Sequence, residues 1–277
     1  MLNGIFGESE VMGVYLARLS PLLFGLFFLN KDLVKKHFYK YLFLFLNTTA
    51  LIFLTGDRSE FFLSIISLFL IILFIDKFKN LKFLIIFSSL LILCSTFLLN
   101  ADFKYRYIDN VFENITEGGS NIFFLSPSHD AMMKSSFKMF LENPLFGQGT
   151  KTYRELCGVK EFKIIIDGFD ADDPRGHACS THPHSWYLEL LAENGIIGFI
   201  LIFLIFLEVS SLLLRHFISM NLNKKYIYES AKVCFLITIF INFLPLVPSL
   251  SFFNNWGSVI TFLSIAFYIF SQNVIKK

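Results

Sequence analysis

The stretch Gly195-Ile196-Ile197-Gly198-Phe199-Ile200-Leu201-Ile202-Phe203-Leu204-Ile205-Phe206-Leu207-Glu208-Val209-Ser210-Ser211-Leu212-Leu213-Leu214 carries one charged side chain, Glu208. A helix rises about 1.5 Å per residue, so a run of this length crosses the roughly 30 Å hydrocarbon layer of a bilayer. Apolar stretches of the same kind recur at 11–29, 41–55, 60–75, 83–99, 233–250 and 257–272. The chain has 277 residues, 55% of them apolar, with 37 Phe and only 17% charged, and a mean hydropathy of +0.60. Soluble domains carry about a quarter charged residues. Backbone polar groups find no water inside lipid, so each span satisfies them as a helix. The expected fold is an all-α integral membrane protein of about seven transmembrane helices with one long helical loop. A formal net charge of +2 leaves no basic surface for nucleic acid.

Working outward from that stretch, the flanking charges set the orientation. Lys31, Lys35, Lys36 and Lys40 follow the first span, and Lys77, Lys79 and Lys82 follow the third. Arg215, Lys224, Lys225 and Lys232 follow the fifth, and Lys276 and Lys277 end the chain. All fall on one side, which the positive-inside rule makes cytoplasmic. Arg58, at the Thr55-Gly56-Asp57-Arg58 turn between two short spans, is the only positive charge in the short loops opposite. Pro245 and Pro248 predict a kink or early break in the sixth span. The expected organisation is N-terminal spans over 1–99, an extracytoplasmic loop over 100–184 and C-terminal spans over 185–277. The first residue then lies outside, and the odd count suggests a chain lacking earlier spans.

The loop holds the chemistry. Cys94 and Cys234 fall in spans, whereas Cys157 and Cys179 fall in the outside loop, where an oxidising compartment favours a disulfide between them over two separate thiols. Asp102–Glu117 reads as an amphipathic interfacial helix. A second helix, capped by Ser128, is expected to run to Glu142, with His129, Met133, Phe137, Phe140 and Leu141 on one stripe. Asp130, Lys134 and Lys138 lie on another face, and Pro144 with Gly147 and Gly149 makes the turn beyond. A third helix starting near His184 would carry Leu188, Leu191 and Gly195 at one azimuth, with Trp186 and Tyr187 in the aromatic belt. A histidine at that boundary can accept a proton from a hydroxyl at neutral pH.

Asn143-Pro144-Leu145-Phe146-Gly147-Gln148-Gly149 with Tyr153-Arg154, then His182-Pro183-His184 and Leu190-Leu191-Ala192-Glu193-Asn194-Gly195-Ile196-Ile197-Gly198, resembles the O-antigen ligase/O-antigen polymerase family. His184, ten residues, then Gly195 is similar to the family's histidine–glycine signature. Thr55-Gly56-Asp57-Arg58-Ser59 resembles its Gly-acid-Arg motif, and Tyr15-Leu16-Ala17-Arg18-Leu19-Ser20-Pro21-Leu22 an earlier family span. The resemblance implies a GT-C-like glycosyltransferase architecture in the bacterial inner membrane. The implied donor is a glycan on undecaprenyl diphosphate; the implied acceptor is a hydroxyl of lipid A–core, or of a second lipid-linked glycan in polymerases. The donor carries its own activation, and no nucleotide-binding fingerprint or cofactor is expected. By the same resemblance His184 is the base that activates the acceptor. Arg58 and Arg154 hold the diphosphate, and His182 orients His184 or contacts the acceptor. Relatives carry an arginine near His129, so a phosphate contact there would be shared with Lys134. They are also longer at the N-terminus.

Simpler readings stand beside these. His184 can be a helix-cap histidine, Arg58 a loop charge and Arg154 a solvated side chain. Arg18, about 10 Å into its span, either snorkels to the surface or reaches a phosphate. Asp170-Ala171-Asp172-Asp173 reads as a solvated loop, and no metal site is expected. Relatives include enzymes that glycosylate protein hydroxyls. Beyond the enzyme class, a transporter for the same lipid would need charges lining a path, of which the spans offer few beyond Arg18 and Glu208. An inactive fragment is the remaining alternative.

Overall fold

Met12–Leu29 forms α1 although Pro21 sits inside it. Proline cannot donate to the carbonyl four residues back. The Ser20 hydroxyl donates to that carbonyl, Ala17 O, at 3.4 Å. The computed structural model describes residues 11–75, 105, 109, 127–166, 179–222, 228–245 and 247–274. The expected span at 83–99, the interfacial helix of 102–117 and the Asp170–Asp173 loop lie outside them, apart from isolated positions.

The described elements are helices: α1, α2 (Lys31–Thr55), α3 (Arg58–Phe74), α4 (Pro127–Glu142), α5 (Tyr153–Leu156), α6 (Trp186–Asn221), α7 (Ser230–Asn242) and α8 (Asn255–Val274). Three segments are long and apolar enough to cross a membrane: Met12–Leu29, Lys36–Thr55 and Trp186–Asn221. The protein is thus an all-α, multi-pass membrane protein, with fewer such helices among the described residues than the seven expected. The sixth expected span yields only the 13 residues of α7, which stops at Asn242. Pro245 and Pro248 follow, and a residue before proline is pushed out of the helical region.

The described chain divides into two units, Met1–Lys104, Phe206–Phe243 and Val259–Lys277 in the first, Tyr105–Ile205 and Leu244–Ser258 in the second. In the first, α1 packs against α7 with so little space that a Cβ on Gly25 would lie 2.7 Å from the Phe235 ring. Phe27 stacks on Tyr41 of α2 at 3.8 Å between ring centroids. α2 and α3 meet at a turn where Gly56 takes φ 79°, and Asp57 caps α3 by accepting from Glu60 N. Ser64 of α3 donates to Thr49 of α2 across the pair.

Arg18 does not snorkel. Its guanidinium is buried and donates to Glu60 at 3.0 and 3.3 Å and to Asn242 at 3.2 Å, tying α1, α3 and α7 together. His216, also buried, accepts from Tyr228 N at 3.1 Å through Nδ1 while Nε2 lies 3.1 Å from Phe74 O.

In the second unit, Met139, Tyr153, Cys157, Phe162 and Ala192 form a buried cluster with Leu156 and Cys179 against it. One expectation changes here. α4 begins at Pro127, so Ser128 lies within its first turn; proline suits the first helical position because the N–H it lacks would be unpaired there anyway. The expected apolar stripe is not the buried face of α4: Phe137 and Leu141 are exposed and His129, Met133 and Phe140 half-buried, while Ala131, Met132, Ser135, Ser136 and Met139 are buried.

Candidate functional site

His184 stands just before α6 with φ 50°, a left-handed backbone that costs a non-glycine residue roughly 1–3 kcal/mol and persists where neighbours over-determine it. Here the neighbours are visible. The His184 carbonyl accepts from Ser249 N at 3.0 Å, and the Ser249 hydroxyl accepts from Trp186 N at 3.0 Å. On the other side, Ser180 donates to the His182 carbonyl at 2.6 Å, and Thr181 Oγ1 lies 3.0 Å from His182 Nδ1.

These constraints bring three imidazoles together. The His182 and His184 rings are 4.2 Å apart between centroids, and His129, near the start of α4, lies 5.5 Å from His184. His129, Met133, Pro183, His184, Ser185, Val247 and Pro248 line one open pocket. Burial lowers the His184 pKa below the ordinary imidazole value. For His182 burial does most, and the charges of His184 and Arg154 add to it; contact with the Ser249 backbone opposes them, and the value falls to about 4. Both rings are therefore neutral at pH 7, the form in which an imidazole accepts a proton. Among the described residues no His, Cys, Asp and Glu group is arranged to hold a metal ion.

The His184–Gly195 spacing has a different physical meaning from a shared helical azimuth. α6 starts at Trp186, and Gly195 breaks its regularity with φ 65° and ψ −164°. A Cβ there would lie 2.3 Å from the Leu145 carbonyl oxygen, and one on Gly147 would lie 2.4 Å from the Glu193 carbonyl carbon. The two glycines let the 143–149 turn and the α6 kink meet backbone to backbone. Gln148 N donates to Ala192 O, Gly149 N to Glu193 O and Ile196 N to Pro144 O, at 2.8 to 2.9 Å. The Glu193 carboxylate completes the clasp by accepting from Lys151 N and from Tyr153 N. Lys151 is the other non-glycine residue with a positive φ, 63°.

Arg154 follows on α5, exposed to solvent, with its charge felt at His182. Cys157, buried beside it in sequence, is bonded to Cys179, with 5.2 Å between their Cα atoms. Arg18 and Arg58 belong to the first unit, Arg58 as the exposed first residue of α3.

Sequence reasoning missed the strap from Val247 to Phe253. Glu189 of α6, buried, accepts from the Ser251 hydroxyl and from Phe252 N. This anchors the strap whose Ser249 holds His184 and Trp186. The available signal was the pair Glu189 and Glu193, four apart at the start of an apolar helix, since buried carboxylates need partners.

Searches of curated proteins and of solved structures return no match. A family model described as O-antigen ligase matches residues 42–203, more than half of the chain, a range holding both the clasp and the three histidines. The chain belongs to the O-antigen ligase family, whose members build surface polysaccharide at the membrane.

Proposed function

We propose that the protein transfers a glycan from undecaprenyl diphosphate to an acceptor hydroxyl at the periplasmic face of the inner membrane, with its C-terminus in the cytoplasm. The observation that carries this reading is His184, neutral, held in a strained backbone and facing a pocket beside two more histidines. In the proposed step the His184 imidazole takes the proton of the acceptor O–H. The oxygen attacks the anomeric carbon, the bond to the diphosphate oxygen breaks with inversion, and undecaprenyl diphosphate leaves as an anion. Arg154, whose charge is felt at His182, is the proposed counter-charge for that anion, because a guanidinium matches phosphate oxygens two at a time, and Arg58 keeps the phosphate-contacting role that its Gly-acid-Arg motif implies. His182 and His129 flank the base and orient the acceptor. Arg18, already engaged by Glu60 and Asn242, supports the first unit's packing in this reading. Acceptors on lipid A–core make the enzyme a ligase, and acceptors on a second lipid-linked glycan make it a polymerase.

Complementation of a ligase-deficient and a polymerase-deficient strain tests the proposal, scored by lipopolysaccharide banding. Banding restored in one strain names the acceptor class. A general base contributes roughly 10²–10⁴ in rate, so His184→Ala at equal membrane abundance should abolish the bands. Bands that survive this substitution would remove His184 from the base role.

A further inference from the structure

We infer that the outward face of α4, with the Leu145-Phe146 turn beyond it, is seated in the interfacial layer of the bilayer and contacts lipid. Three observations converge on this surface. The burial pattern of α4 departs from that of a water-facing helix: Ser135 and Ser136 are 2% and 0% exposed, buried with Ala131, Met132 and Met139, whereas Phe137 and Leu141 are 49% and 60% exposed among Lys134, Lys138 and Glu142. Large side chains turned outward while hydroxyls turn inward suit an apolar surrounding, not water.

The exposed surface continues past the helix. Leu145 and Phe146 are 58% and 69% exposed, so the turn presents its two largest apolar side chains outward. Its backbone is fixed to the place where the apolar run of α6 begins. Ile196 N donates to Pro144 O, and Gly195 has no room for a Cβ against Leu145. Beyond that point Ile197, Ile200, Leu201 and Leu204 are exposed along α6. The turn is thus held by its backbone at the start of the apolar run of a helix apolar enough to cross the membrane.

Charge at the rim agrees. Lys134, paired with Asp130 at 2.6 Å, and Lys138 flank the Phe137–Leu141 stripe. Lysine stems lie along apolar surface while their ammonium groups reach headgroup phosphates. The consequence concerns depth. His129 and Met133 of this same helix line the His184 pocket. An interfacial α4 holds that pocket at headgroup level, where a diphosphate attached to a membrane lipid resides.

Site-directed spin labelling in nanodiscs of phosphatidylethanolamine and phosphatidylglycerol tests the inference. Labels go on Phe137→Cys, Leu141→Cys and Phe146→Cys, in a Cys94→Ser, Cys234→Ala background that keeps the Cys157–Cys179 bond. Lys160→Cys, on an exposed polar stretch, is the reference. All four positions are exposed, so the labels displace no core packing. Contact with lipid gives oxygen collision rates above those of a water-soluble nickel chelate at 137, 141 and 146, with the opposite order at 160. Chelate access equal to that at 160 would overturn the inference by placing the face in water. Low access to both reagents would also overturn it, by showing the face covered by protein.

Discussion

His182 and His184 sit close enough that a proton on one disfavours a proton on the other, and burial acts in the same direction on both. The base of the proposed reaction therefore stays neutral to lower pH than a solvated imidazole. We predict that initial rates with a lipid-linked donor are flat through neutral pH and fall only below the ordinary histidine range. An acid limb centred above pH 6.5 would contradict this. Stability carries a related signature. Between about pH 4 and 6.5 the unfolded chain binds a proton at position 182 that the folded chain does not. Stability hence rises with pH across that window and is lost as pH falls through it. Thermal melts of the detergent-solubilised protein should show that slope, and His182→Asn should flatten it. Gly195 makes a different demand. At φ 65° and ψ −164° the backbone occupies a region essentially reserved for glycine, roughly 1–3 kcal/mol for another residue, and here a Cβ also meets the Leu145 carbonyl, which is fixed by the clasp. Gly195→Ala should thus lower the amount of folded protein in the membrane, while His184→Ala leaves it unchanged; quantitative blotting separates the two.

Elements rather than single side chains decide where His184 points. The strap over Val247–Phe253 is pinned to α6 by Glu189 at one end of its contacts and holds the His184 and Trp186 backbones at the other. Removing a buried acceptor leaves the groups that donated to it unpaired, at roughly 1–3 kcal/mol. We predict that Glu189→Ala lowers kcat at least 10-fold with a smaller change in KM, and that Glu189→Gln, which retains an acceptor oxygen, recovers most of the loss. Equal activity in all three proteins would show that the strap does not position the base. This arrangement also marks how far periodicity alone could reach. Apolar spacing located α4 and α6 and both of their turns, because helix period and proline positions are local properties. It left the outer face of α4 unassigned, since an apolar stripe on a membrane protein has two possible solvents and the sequence does not distinguish protein from lipid. It also read His184 and Gly195 as one azimuth, when the meaning of that glycine lies in the approach of Leu145, a partner fifty residues away. The same limit hid Glu189, whose partners Ser251 and Phe252 come from beyond α6.

At the scale of the whole molecule, the transmembrane class was legible because hydropathy sums over many residues, and α7 ends where Pro245 and Pro248 require. The side of each loop is a global property that no single helix carries. Two independent reporters bear on it: the lysines and arginines that follow alternate spans, and the Cys157–Cys179 bond. That bond closes a segment of 22 residues between the α5 region and the histidines. Chain-entropy arguments give a cross-link of this length about 3 kcal/mol, by restricting the unfolded state. It ties Cys157, within the Met139–Tyr153–Ala192 cluster, to the residue just before Ser180, which holds the His182 carbonyl. If the loop faces an oxidising compartment, whole-cell alkylation with a membrane-impermeant maleimide should leave both thiols unmodified until reductant is added, and then label both. A reporter fused at Lys277 should meanwhile be active only as a cytoplasmic marker. Reduction, or Cys179→Ser, should lower the melting temperature and glycan transfer together, because the same cross-link supports the cluster and the histidine segment. Thiols that react in intact cells without reductant would place the loop outside but unbridged, and thiols that react only after permeabilisation would reverse the orientation of every span at once.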